Sequence, residues 1–248
     1  FSSQNITTAV YLMGTLIAGL GATIGAARPG SAPVIVRTGI IIAIAHAVLG
    51  FISILVAGTA LDSIVEFFRN GNYAQLDQSI GGLNRMNGIW PEASGFAAYG
   101  GAWMIFMTEL WLRDIERRRT GFAALLLALA LLISTSSTAY VTLGGYSAIL
   151  LLRMALLPGS VTLSKGLMLA AVTFVGALIV LAAITFNAAA LERFGHIIAI
   201  MTVEKTESFS GMQRIYWALQ GLDAFVATAG SGVGAGSFRS SSLITAII

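Results

Sequence analysis

The chain is written as a series of long apolar runs separated by short polar ones. Ile6 to Ala27 is 22 residues with no charge, and Thr38 to Ala60 is a second such run. At 1.5 Å per residue each is long enough for the roughly 30 Å hydrocarbon core of a bilayer. Helices that are apolar all round are either buried in the core of a large protein or span a membrane, and several in a chain of this size point to the membrane. Charged residues make up only 10% of the chain and mean hydropathy is +0.85, against about 25% charged in soluble domains. The expected fold class is therefore all-α: a polytopic transmembrane helix bundle of about six spans, a single membrane domain over 1–248 with exoplasmic loops that carry short helices.

The spans are expected at about 6–27, 38–60, 93–112, 120–133, 139–157 and 166–190. The segment ARPGSAPVIVR reads as a short loop between the first two. Residues 121–157 decide the topology. As one helix they would extend about 55 Å, too long for one crossing. The polar STSST at 134–138 divides them into two spans joined by a tight turn with satisfied hydroxyls. His46, alone inside a span, reads as an interhelical hydrogen bond or a weak functional hint. Both ends of the chain look cut, so a piece of a longer protein is expected.

Charge assigns sides. Arg28, Arg37, Arg113, Arg117, Arg118, Arg119, Arg153 and Lys165 fall in or beside very short loops on one side, which the positive-inside rule makes cytoplasmic. The loops 61–92 and 191–242 are then exoplasmic. The second holds the longest polar run, Glu204 to Arg239, in which MQRIYWALQGLDAFV has helical spacing. Cysteine is absent, which removes disulfides and thiolate chemistry. His46 and His196 lack metal-site spacing, so no metal is expected. No basic run is interleaved with aromatics, and nucleic acid is not an expected partner.

Candidate chemistry lies on the exoplasmic side. Arg85 and Arg214 come from separate loops; two guanidinium forks could clamp a diphosphate and stabilise it as it leaves, or could anchor the loops at the interface. The glycines of GSGVGAGSF, including Gly232, Gly234 and Gly236, could form an anion-binding nest next to Arg239, or a flexible turn. Asp77, Glu92, Glu204, Glu207 and Asp223 are possible general bases or a solvated face.

These motifs occur in an order that resembles the family of O-antigen ligases and O-antigen polymerases. SGMQRIYWALQGLDAFVATAGSGVGAGSF is similar to its Ser–Arg–Trp, short helix and G-x-G-x-G-x-F segment. NRMNGIWPEASGFAAY is similar to its Arg-x-x-Gly element, LLISTSSTAYVTL to its apolar, Ser-rich turn, apolar element, and FSSQNITTAVYL to its Ser-x-Asn-x-Thr entry. STSST lacks the arginine many members carry at that turn. The resemblance implies a glycosyltransferase of the bacterial inner membrane, without cofactor, whose active face is periplasmic. It implies an undecaprenyl diphosphate-linked glycan donor, a glycan or lipid-linked acceptor, and membrane lipids as surroundings. Arg85 and Arg214 would contact the diphosphate, with Tyr216 and Trp217 against glycan or lipid. The competing readings are a transporter or flippase for a lipid-linked or anionic solute, and a non-catalytic envelope scaffold.

Overall fold

The computed structural model describes residues 3–62, 65, 67, 79–80, 83–157, 162, 164–166 and 209–230. Among these the chain is all-helical apart from one two-residue antiparallel ladder. The elements are α1 (Ser3–Ala26), α2 (Ser31–Val56), β1 (Ser79–Ile80), β2 (Leu83–Asn84), α3 (Ala93–Leu112), α4 (Arg117–Ile133), α5 (Ser137–Leu156) and α6 (Phe209–Ala227). In the ladder Ser79 pairs with Asn84 and Ile80 with Leu83. Three helices are long and apolar enough to cross a membrane by length and composition: α1 over Ala9–Ala26, α2 and α5. Residues 167–190, expected to form a further span, lie outside the described residues.

The chain divides into two packing units, Ile35–Ile197 and the pair of segments Phe1–Val34 and Ile198–Ile248. In the latter, α1 exposes Ile6, Val10, Leu16, Ile17 and Leu20 around its circumference. A helix apolar on every side needs lipid or other helices around it.

α2 corrects the sequence reading. The expected loop ARPGSAPVIVR ends at Gly30, whose φ of +81° suits glycine after a helix end, and the helix begins at Ser31. Pro33 fits because the first helical turn has no intrahelical acceptor for its missing N–H. Arg37 is exposed one turn further on.

Within Ile35–Ile197, α3 is the central helix. Phe96, Ala97, Met104 and Met107 are buried in one core with Ala43 and Ala47 of α2, Leu127 and Leu131 of α4, and Tyr146 and Leu150 of α5. The helices close on one another through glycines that receive large side chains. A Cβ on Gly39 would lie 2.9 Å from Trp103, and one on Gly50 would lie 2.6 Å from Phe96. One on Gly100 would meet His46 at 2.9 Å, and one on Gly101 would meet the Thr142 methyl at 2.6 Å. Small residues at crossings are what let helix backbones approach where the surroundings are apolar too.

His46 belongs to this packing. Its ring stacks on Phe96 at 4.2 Å, and Nε2 donates to Phe96 O at 3.1 Å. A carbonyl only accepts, so Nε2 carries the proton.

The α3–α5 crossing makes a simple prediction. Gly101→Ala should destabilise the bundle by about 1–3 kcal/mol, the usual cost of overpacking. Thr142→Ser removes the methyl that the new Cβ meets and should restore most of that loss. Denaturation midpoints in detergent micelles of the two single variants and the double variant provide the check.

Candidate functional site

Arg85 follows β2 in an irregular segment, 85–87, that leads into the turn before α3. Its position is set by its neighbours. Met86 is fully buried, with Sδ and the Phe96 ring both directed at Gly50. Gly88 has φ of +56° and donates its N–H to Ser53 Oγ at 3.0 Å, and Ser53 Oγ in turn donates to Gly50 O at 2.7 Å. Trp90 N–H closes the turn on Asn87 O at 2.9 Å. The segment is thus tied to α2 and α3 directly after Arg85, and the half-buried Arg85 is carried at this end of the bundle. Glu92, half-buried at the start of α3, accepts a hydrogen bond from Ser94 Oγ at 2.8 Å.

The break between α4 and α5 lies at the same end. Gly100 of α3 is level with Leu131 and Gly101 with Thr142. The intervening residues 134–136 therefore reach toward the first turn of α3, where Trp90 packs against Gly95. The break is not the relaxed turn that was expected. Ser134 Oγ donates to Leu131 O at 2.7 Å. Thr135 is 8% exposed and Ser136 1%, and the hydroxyls of both are buried with no hydrogen-bond partner. Ser136 is the N-cap of α5, yet its side chain makes no cap bond. Thr135 has φ of +48°, a left-handed conformation that costs a β-branched residue of order 1–3 kcal/mol.

Trp90 Nε1 is a further buried donor without a partner. Each buried polar group left unpaired costs about 1–3 kcal/mol. This end of the bundle, which also carries Arg85, therefore concentrates unpaired buried hydrogen-bonding groups and backbone strain, as ligand-handling sites do. Chemically it is rich in donors, which suits phosphate or sugar oxygens.

Thr135→Gly should raise stability by about 1 kcal/mol, because glycine adopts positive φ freely and the buried hydroxyl is gone. A lowered melting temperature in detergent would show that the break is unstrained.

The opposite end of the bundle holds two close ion pairs. Arg153 Nη1 donates to both oxygens of Glu109 at 3.0 and 3.1 Å, and Tyr146 OH donates to Glu109 Oε1 at 3.2 Å. Lys165 is only 5% exposed. Its Nζ donates to Asp114 Oδ2 at 2.6 Å and to Leu112 O at 2.8 Å, and lies 6.0 Å from the Trp111 ring centroid. A cation on the last carbonyls of α3 also meets the negative end of the helix dipole. The hydrogen bond from Lys165 holds the Asp114 carboxyl below its ordinary pKa. A carboxylate with a depressed folded pKa contributes its stability above the unfolded value and loses it as pH falls through the folded one. Acid titration below the ordinary carboxylate range should therefore weaken the wild type, and Asp114→Asn should flatten that part of the stability profile.

The remaining expected site residues belong to the other packing unit or lie outside the described residues. The helical spacing read in 212–226 corresponds to α6, which carries Arg214 on its second turn. Tyr216 is exposed and accepts from Gln220 Nε2 at 2.7 Å; Trp217 is half-buried. Gly232, Gly234, Gly236 and Arg239 lie outside the described residues, as do Asp77, His196, Glu204 and Glu207. Asp223 is exposed on α6. Among the described residues no group of three His, Asp or Glu is placed to hold a metal ion.

No family model matches the chain, and comparison with curated proteins and with solved structures likewise finds no match.

Proposed function

We propose that the protein is a membrane glycosyltransferase that moves a glycan from an undecaprenyl diphosphate carrier to a sugar hydroxyl, as a surface-polysaccharide polymerase or an O-antigen ligase does. The observation that carries this reading is Arg85. A group that is always cationic is held on a segment pinned by Met86, Gly88 and Ser53, at a bundle end with unpaired buried hydroxyls and an indole N–H. That is the environment a leaving diphosphate needs: charge and donors fixed in advance in a site partly shielded from water. The four motifs in family order support the same reading. In it the chain makes six crossings of a bacterial inner membrane, the Arg85 end is periplasmic, and Arg214 with Tyr216, Trp217, Gly232, Gly234, Gly236 and Arg239 completes the donor and acceptor contacts.

In this reaction the acceptor hydroxyl attacks the anomeric carbon. The bond from that carbon to the diphosphate oxygen breaks, and the electron pair leaves with the carrier diphosphate. Arg85 and Arg214 offset the charge that develops there. The hydroxyl proton passes to a base that the described residues do not identify.

The transport reading draws on one observation, the Glu109–Arg153 pair between α3 and α5, since ionised groups between membrane helices commonly mark a path. Both partners are paired, and they lie at the opposite end from Arg85. One experiment separates the two readings. The protein is reconstituted in vesicles with an undecaprenyl diphosphate-linked oligosaccharide and an acceptor. A transferase releases carrier diphosphate and lengthens the glycan. A transporter changes the leaflet of the intact donor and releases nothing.

A further inference from the structure

We propose that the Arg113–Arg119 face of the bundle is a docking surface for anionic phospholipid headgroups of the membrane that holds the protein. Among the described residues of Ile35–Ile197, this end carries Arg37, Arg113, Arg117, Arg118, Arg119, Arg153 and Lys165 against Glu109, Asp114 and Glu116, seven basic groups against three acidic. The opposite end carries Arg85 against Asp62 and Glu92. Among the described residues the excess positive charge of this unit therefore lies at one end.

Its own acids do not neutralise it. Glu109 is committed to Arg153 at 3.0 Å, and Arg113 reaches it only at 3.8 Å. Asp114 is committed to Lys165 at 2.6 Å, which leaves Arg117 at 3.7 Å. Arg119 reaches Glu116 at 3.4 Å. Arg118 is exposed and has no acidic partner among the described residues. The arginines also stand in the first turn of α4, with no acid in that turn. The helix dipole there is positive and disfavours them. An external anion relieves both repulsions.

The surroundings select the kind of anion. Ile115 is exposed between the arginines, and Phe122, Leu125 and Leu129 are exposed along α4 directly below them. A charged rim continuous with an exposed apolar helix face matches the headgroup and acyl region of a lipid. A nucleic acid or an acidic soluble protein would leave the apolar part uncovered. Clustered Lys and Arg beside a membrane helix bind anionic headgroups in this way.

The test uses the full chain in phosphatidylcholine vesicles with trace spin-labelled phosphatidylglycerol or spin-labelled phosphatidylcholine. Wild type should restrict phosphatidylglycerol preferentially, and added salt should reduce the preference. Arg118→Gln, which breaks no internal ion pair, should lower the preference by about fivefold or less, and R117Q/R118Q/R119Q by about tenfold or more. Asp62→Asn, a charge change at the other end, should leave it unchanged. Equal preference in wild type and the triple variant overturns the proposal, as does an equal shift in Asp62→Asn. Wild type that shows no lipid preference but binds soluble polyphosphate also overturns it.

Discussion

Arg85→Ala should lower carrier-diphosphate release and glycan lengthening by about a hundredfold or more, while the helix bundle keeps its stability. Removing one preorganised group that stabilises developing charge costs about 3–4 kcal/mol of barrier, which corresponds to that factor. Met86, packed at Gly50, and the Gly88 N–H on Ser53 also tie the Arg85 segment, and both ties stay in place in the variant. Arg85→Lys should recover only part of the activity, because an ammonium keeps the charge and loses the bidentate fork. Arg214→Ala should fall by a similar factor if both guanidiniums hold the diphosphate, and the chelator dependence of the rate should stay flat in all variants. Steady-state turnover with saturating donor measures this. Full activity in both alanine variants would return the arginines to interfacial anchoring.

Gly50→Ala should cost about 1–3 kcal/mol of stability, and it should also reduce turnover. A Cβ there would stand 2.6 and 2.7 Å from two atoms of the Phe96 ring and 2.8 Å from Met86 Sδ. Phe96 is fully buried and held by the stacked His46, so the ring has little room to yield. The methionine is flexible and yields first. Any shift of Met86 is passed directly to Arg85, its neighbour in the chain. Gly50→Ala and Gly101→Ala are expected to destabilise the protein comparably, but a Cβ on Gly101 meets Thr142 first and not Met86. Activity measured well below both melting temperatures therefore separates site displacement from general loosening. Equal turnover in the two variants would disconnect Arg85 from the Met86–Gly50 contact. Met86→Ala combined with Gly50→Ala should relieve the sulfur clash and leave the ring clash in place.

The helices were legible where apolar length decides them. The run over 93–112 coincides with α3, and 121–157 had to be divided because no bilayer takes a helix of that length. The start of α2 was hidden because Pro33 and Arg37 look like loop residues. Proline is harmless in a first turn, and arginine at a helix end places its charge outside the apolar layer. The character of the α4–α5 break was not legible either. Five consecutive Ser and Thr residues suggest hydroxyls that satisfy themselves. Only the burial of Thr135 and Ser136 beside α3 leaves them unpaired, and a positive φ at threonine has no sequence signal. The Lys165 clasp joins residues about fifty apart in the chain and depends on how α3 and α5 end together. Arg85 stands out in the sequence by residue type and motif. What the structure adds is the pair of contacts that immobilise its segment.

The most direct test is to ask which end of the bundle takes a diphosphate lipid. A polyprenyl diphosphate carrying a photoreactive group next to the phosphates would be crosslinked to the protein in nanodiscs. Excess phosphatidylglycerol would occupy nonspecific cationic surface, and the adducts would be mapped by peptide mass spectrometry. The account predicts adducts in the Arg85–Glu92 segment and at Ser134–Ser136, lost in Arg85→Ala. Adducts confined to Arg113–Arg119, or an adduct pattern that Arg85→Ala leaves unchanged, would contradict it.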